Sequence, residues 1–207
     1  MDGKSDKGLD TANVKLILFF TENLTFTEAE TRLNACEKDL SAARRYVSEK
    51  DKVLHLVSAY LKKKYIVNWT TNEYGKPVSD GICFNLSHCN GVVALALSDK
   101  DVGVDVENIR QIERSVVEYV SDKSETDYVK DDKDFFRLWT AKESLAKCQG
   151  RGLVKDLKSI PAFPFDGEKV YLNESYYSKQ TEYDEYIITI VRKSKEPFTF
   201  DITKEIL

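Results

Sequence analysis

Apolar residues along this chain fall into two patterns: compact runs of strand length, and sets that repeat every three to four positions. Val14–Phe20 (VKLILFF) is the first run and reads as a central strand. Thr25 follows as a helix N-cap with Glu28 behind it. From there to about Lys64 the spacing is helical, through Leu33, Ala43, Tyr46, Leu54, Val57 and Leu61, and a break is expected near Tyr46–Asp51. Ile66–Thr70 predicts a short strand, and Asn72–Pro77 (NEYGKP) a turn. Cys83–Leu86, Val92–Leu97 and Val102–Val106 predict three strands in a local meander, with Ser98–Asp101 as a turn. Residues 108–134 are densely charged and predict one short amphipathic helix and a mobile link. Phe135, Leu138, Trp139, Leu145 and Ala146 define the inward face of a further helix, ended by Gly150 and Gly152. Lys169–Leu172, Tyr176–Tyr177 and the alternating Tyr186–Val191 suit an antiparallel sheet. The first dozen residues are polar and read as a disordered lead.

Length and charge narrow the classes. With 207 residues, the chain is long enough to bury a core in one large domain or two small ones. A formal net charge of −4 argues against generic nucleic-acid binding, which needs a basic footprint. Four scattered cysteines (Cys36, Cys83, Cys89, Cys148) form no CxxC pair, and with two histidines they do not suggest a structural zinc site. No run is long enough to span a membrane and no leader is visible, so reduced, inert thiols in a cytoplasmic protein are expected.

The candidate chemistry lies in the strand at 102–107 and the helix after 135. Asp105 and Glu107 share one face of that strand, about 6–7 Å apart, with Val102, Val104 and Val106 on the other. Such a like-charged pair is better tolerated when a cation joins it, and an all-oxygen donor set suits Mg²⁺. The plain alternative is two exposed acids at a strand end. Glu143 and Lys147, four apart, share a helix face; this is either surface decoration or a functional pair. Ser87-His88 follows a strand without the glycine-flanked elbow of a serine nucleophile, so contact with a phosphorylated ligand suits both better than hydrolysis. Arg44 and Arg45 are either a solvated face or anion ligands, and Lys76 either a solubilising turn residue or a displayed cation.

Taken together, FNLSH (Phe84–His88), GVDVE (Gly103–Glu107) and WTAKESLAKCQGRGL (Trp139–Leu153) resemble the Sfp-type 4′-phosphopantetheinyl transferases in order and approximate spacing. The NEYGKP turn resembles the loop before the first motif, so the matched span runs from about Asn72 to Leu153. The resemblance implies an α+β fold of two similar α+β halves related by a pseudo-twofold axis, residues 1–100 and 101–207, with coenzyme A between them. It implies Mg²⁺-dependent transfer of the phosphopantetheine arm of coenzyme A to a serine of an apo acyl or peptidyl carrier protein, releasing adenosine 3′,5′-bisphosphate. Asp105, Glu107 and Glu143 match the metal ligands, Glu143 and Lys147 the catalytic pair, and Lys76, Ser87, His88 and Lys147 the coenzyme contacts. Arg44 and Arg45 are candidates for the 3′-phosphate, although the chain lacks basic residues around Ala42 and Leu54 that the family carries. Ile112, Val116, Val117 and Tyr119 either pack on the core or offer the carrier a docking patch. A monomer is expected, since one chain carries both halves. The competing readings are a Mg²⁺-dependent coenzyme A or nucleotide pyrophosphate hydrolase and a non-catalytic binding module. The identity of the carrier and the tolerance for acylated coenzyme A are not written in these motifs.

Overall fold

The computed structural model describes residues 13–151 and 156–206; the expected lead and Gly152 lie outside them. The elements run β1 (Asn13–Phe20), α1 (Phe26–Arg32), α2 (Glu37–Ala43), α3 (Glu49–Tyr65), β2 (Thr70–Thr71), β3 (Pro77–Val78), β4 (Cys83–Cys89), β5 (Val92–Ser98) and β6 (Val102–Asn108). They continue with α4 (Arg114–Val120), α5 (Lys123–Tyr128), α6 (Asp132–Gln149), a 3₁₀ turn at Leu157–Ser159, β7 (Gly167–Tyr171), β8 (Glu174–Tyr183), β9 (Tyr186–Arg192) and β10 (Thr199–Glu205). The fold is α+β, as expected.

Two four-stranded sheets carry it, in the orders β10-β1-β5-β4 and β6-β9-β8-β7. The parity of the apolar runs explains how they pack. Val14, Leu16 and Leu18 of β1 meet Val102, Val104 and Val106 of β6 and Ile188 and Ile190 of β9, forming a core between the sheets. Ile17 and Phe19, on the other parity, pack with Val93 and Leu95 against Leu56, Val57 and Leu61 of α3. On the far side, Phe136, Leu138 and Ala141 of α6 pack with Ile187 of β9. The layers are therefore helices, sheet, sheet, helices. β5 and β9 are buried along their whole lengths, which is why VVALAL and YIITIV carry apolar residues on both parities.

Several expectations need correction. The Thr25 cap is present as a full capping box with Glu28, but the helical stretch breaks twice: at Leu33–Cys36, where Asn34 takes φ 48°, and at Arg44–Ser48. The Ile66–Thr70 strand is reduced to Thr70–Thr71, because Ile66 still closes α3 by donating its N–H to Lys62. The meander stops after β5. β6 crosses to the second sheet and pairs with β9, where its valines are buried. The charged stretch 108–134 holds two short helices rather than one and a link, and Asp122 and Glu125 close a capping box on α5. β10 pairs parallel to β1, so the last strand completes the first sheet. Glu205 ties it to α3 by accepting from Tyr65 (2.7 Å) and Tyr60 (3.2 Å) and pairing with Lys64. All four cysteines are free; Cys89 and Cys148 are buried, Cys83 is half-buried and Cys36 is exposed, so the thiols are not uniformly sequestered.

A buried charge cluster braces the second half. Lys142 of α6 is fully buried, paired with Glu125 at 2.7 Å and donating to the carbonyls of Leu157 (2.9 Å) and Ile160 (2.7 Å). Lys169 of β7 lies beside it and donates to the Ala162 carbonyl. Burial, reinforced by Lys142, pulls the Lys169 pKa from 10.5 down to about 7, against the pull of Glu125 and Asp166. The unfolded chain binds the extra proton between those values, so this group makes stability rise with pH from about 7 towards 10.5. Its cost is fully in place below about 7. Lys169→Met is expected to flatten that slope and to be the more stable protein at pH 7; urea denaturation of both at pH 7 and pH 9 checks it.

Candidate active site

Backbone contact between α6 and β6 sets the geometry. A Cβ built on Gly103 would lie 2.0 Å from the Ser144 carbonyl oxygen and 2.4 Å from the Cys148 nitrogen, so the helix rests directly on the strand at the one residue without a side chain. Gly103, Asp105 and Glu107 share that parity, which turns both acids towards the face of α6 carrying Glu143 and Lys147. A polar seam locks α6 to β9 as well. Ser144 Oγ donates to the Thr189 carbonyl (2.8 Å), and the Thr140 and Thr189 hydroxyls meet at 2.8 Å.

Asp105 is 4% exposed, which removes the reading of two acids at an exposed strand end. Its Oδ1 accepts from the Lys147 ammonium (2.6 Å) and the Ser87 hydroxyl (2.8 Å), and Lys147 also donates to Ser87 Oγ (2.9 Å). Asp105 Oδ2 is buried and has no hydrogen-bond partner among the described residues. Glu107 accepts from Arg110 at 2.7 Å, and the Arg110 guanidinium lies 4.6 Å above the Phe136 ring. Burial raises the Glu107 pKa; Arg110 opposes that rise and Asp105 adds to it. Burial likewise raises the Glu143 pKa, helped by Asp105 and Glu107 and opposed by Lys147. Asp105 thus adds to the raised pKa of both glutamates, along the strand for Glu107 and across the strand–helix contact for Glu143. With the side chains as they stand, no group of three or more His, Cys, Asp or Glu among the described residues closes around a common metal position.

The other candidates surround this cluster unevenly. His88, the next residue on β4, has its pKa lowered, first by desolvation and then by Lys147. Lys76 is not displayed freely as its turn suggested. Its ammonium donates to the Cys148 carbonyl at the end of α6 (2.8 Å), while Asn72 donates to the Gly150 carbonyl (3.1 Å). Gly150 closes the helix at φ +68°, so the turn clips the helix end where carbonyls lack partners. Tyr74, Lys76, Asn85, Trp139, Glu143 and Lys147 line an open cavity of about 560 Å³ between this turn and α6. Arg44 pairs with Glu37 (3.3 Å) and Glu30 (3.9 Å) in the helical layer, and Arg45 is exposed in the turn after α2. Neither is brought to the Ser87–Asp105–Lys147 cluster by a contact among the described residues.

Sequence reasoning did not anticipate the contacts of Asn72, Asn85, Arg110 and Lys142. Asn85 lay inside the FNLSH motif and Lys142 inside WTAKES, so the motifs marked the places without revealing what those side chains do.

A family model for the 4′-phosphopantetheinyl transferase superfamily matches residues 101–191, the stretch holding Asp105, Glu107, Glu143 and Lys147. The 4′-phosphopantetheinyl transferase Sfp of Bacillus subtilis (strain 168) is 31% identical over 158 residues, covering 70% of each chain. The chain belongs to the Sfp-type 4′-phosphopantetheinyl transferase family. The 4′-phosphopantetheinyl transferase gsp of Aneurinibacillus migulanus is 32% identical over 147 residues, and the match spans 61% of its length, somewhat less than two thirds. Lys76, Ser87 and His88 fall before the matched 101–191 stretch, on the β2–β3 turn and β4; of the three, Ser87 bonds to Asp105 and Lys147, and Lys76 lines the cavity beside them. No helix among the described residues is long and apolar enough to cross a membrane.

Proposed function

We propose that this protein transfers the 4′-phosphopantetheine arm of coenzyme A to a serine hydroxyl of an apo acyl or peptidyl carrier protein. The observation that carries the reading is the meeting of β6 acids and the α6 Glu–Lys pair beside an open cavity, in a chain of this family. In this reaction the carrier serine oxygen bonds to the β-phosphorus, the diphosphate P–O bond breaks, and adenosine 3′,5′-bisphosphate leaves. Phosphoryl transfer needs chiefly positioning and neutralisation of charge. Lys147 supplies a cation to the diphosphate, and Ser87 orients Asp105 through its hydroxyl. Glu143, whose proton affinity burial raises, is suited to take the serine proton. Lys76 and His88 hold further phosphate oxygens; Arg44 and Arg45 take the 3′-phosphate only after leaving their present surroundings.

The donor set fits a hard divalent cation: three carboxylates, no thiolate or imidazole, and a buried Asp105 Oδ2 without a partner. Asp105, Glu107 and Glu143 would hold Mg²⁺, which would neutralise charge on the diphosphate. Asp105→Ala is expected to abolish turnover or sharply raise the Mg²⁺ requirement, and Glu143→Gln to lower kcat by about 10²-fold or more. Turnover measured against Mg²⁺ concentration checks both; an unchanged metal dependence removes Asp105 from the site. Release of adenosine 3′,5′-bisphosphate, followed chromatographically, tests the activity: it should require apo carrier, and release without carrier would select the hydrolase.

The division into halves at 1–100 and 101–207 is kept as a proposal in which β10 is the exchanged strand, and one chain then supplies a complete site as a monomer. For the carrier, the apolar patch divides in two. Val117 is buried and Ile112 packs on the core, whereas Val116 and Tyr119 are exposed. Val116→Asp with Tyr119→Asp is expected to raise carrier KM about tenfold or more at unchanged coenzyme KM. An unchanged carrier KM excludes this patch.

A further inference from the structure

The two sheets meet along β4 and β6, and the join is made by side chains. Each is the end strand of its own sheet, and among the described residues β4 is laddered to β5 and β6 to β9. Between them, the Val104 N–H donates to Asn85 Oδ1 (2.9 Å) and, two residues on, the Val106 N–H donates to Ser87 Oγ (3.4 Å). Two side chains of the same parity thus occupy the positions of a missing ladder, bracketing Asp105. The Val104 N–H is a buried donor that needs an acceptor, so it fixes which way the Asn85 amide is turned. The other end of that amide is left over. Among the described residues the Asn85 amide nitrogen has no hydrogen-bond partner, and Asn85 lines the cavity shared with Lys76 and Lys147.

We propose that Asn85 is a ligand-contacting clasp: its carbonyl oxygen holds the backbone of β6, and its amide donates to a phosphate oxygen of the ligand in this cavity. Two lysines lining the same cavity favour an anionic oxygen over a neutral one. The ligand's identity as coenzyme A rests on the function proposed above; the grip on Val104 does not. One residue then sets the position of Asp105 and reads the substrate, so that misplacing the strand and losing the contact are coupled.

Titration of ¹⁵N-labelled protein with coenzyme A tests the contact. The side-chain amide signal of Asn85, assigned by its loss in Asn85→Asp, should move together with the backbone amide of Lys76. Asn85→Asp keeps an acceptor for Val104, and Asn85→Ala does not. Hydrogen exchange at the Val104 amide should stay slow in the first and speed up at least about tenfold in the second, while both weaken coenzyme A binding about tenfold or more. Movement of Lys76 without Asn85 overturns the contact. Unchanged exchange at Val104 in Asn85→Ala overturns the clasp. If no cavity signal moves, the coenzyme A reading fails and takes the contact with it, leaving the exchange result to judge the clasp.

Discussion

Gly103→Ala is expected to lower turnover by about 10²-fold and stability by about 1–3 kcal/mol, although it adds a single methyl group. The added carbon would sit 2.0 Å from the Ser144 carbonyl oxygen and 2.4 Å from the Cys148 nitrogen, and both are backbone atoms of α6. Neither can swing aside as a side-chain tip would, so the helix itself has to lift. Glu143 and Lys147 ride on that helix while Asp105 and Glu107 ride on the strand, so lifting separates the two halves of the site. Ser144 and Thr140, bonded to Thr189, resist the movement and turn it into strain. Thermal unfolding together with kcat at saturating coenzyme A checks the pair of effects. Near-normal turnover in a folded Gly103→Ala protein would show that the helix–strand spacing does not govern the site.

Glu125→Ala carries the second large effect, a destabilisation of about 3–5 kcal/mol, because it leaves the buried Lys142 ammonium without its counter-charge. Loss of that much stability is a large share of what an ordinary domain possesses. The carboxylate also accepts from the Asp122 N–H (3.0 Å) and the Ala162 N–H (3.2 Å), so α5 and the strap after the 3₁₀ turn loosen with it. Leu157, in that 3₁₀ turn and bonded through its carbonyl to Lys142, lines the cavity, which predicts weaker coenzyme A binding in whatever fraction stays folded. Glu125→Leu combined with Lys142→Met should recover most of the loss, since removing both charges leaves neither stranded. Urea denaturation of the single and double variants separates the two outcomes. A mild single variant would mean that the carbonyls of Leu157 and Ile160 alone satisfy the lysine.

The sequence made the parts of the site legible where a strong periodicity fixed a side chain's direction. Val102, Val104 and Val106 had to face a core, so Asp105 and Glu107 had to face away together, and α6 is where they met a partner. Partnership between distant segments was not legible. β10 is a polar alternating strand, TFDITKE, whose place depends on β1 at the other end of the chain. β6 looked like the third strand of a meander because its departure to β9 leaves no mark on its own composition. The burial of Lys142 was not legible either, because nothing in a helical pattern announces that Glu125 and two carbonyls will close over it. The same limit hid Asn85: its task depends on an unladdered seam that only the assembled sheets create.

The central claim is that one site, built from β6 and α6, moves an intact phosphopantetheine arm onto protein. Intact-mass measurement of an apo carrier incubated with this protein, coenzyme A and Mg²⁺ tests it most directly. The account predicts that the carrier gains the mass of one phosphopantetheine group on its serine, and that the gain disappears with Asp105→Ala. A carrier of unchanged mass alongside free phosphopantetheine, or one modified equally well by the Asp105→Ala protein, would contradict it.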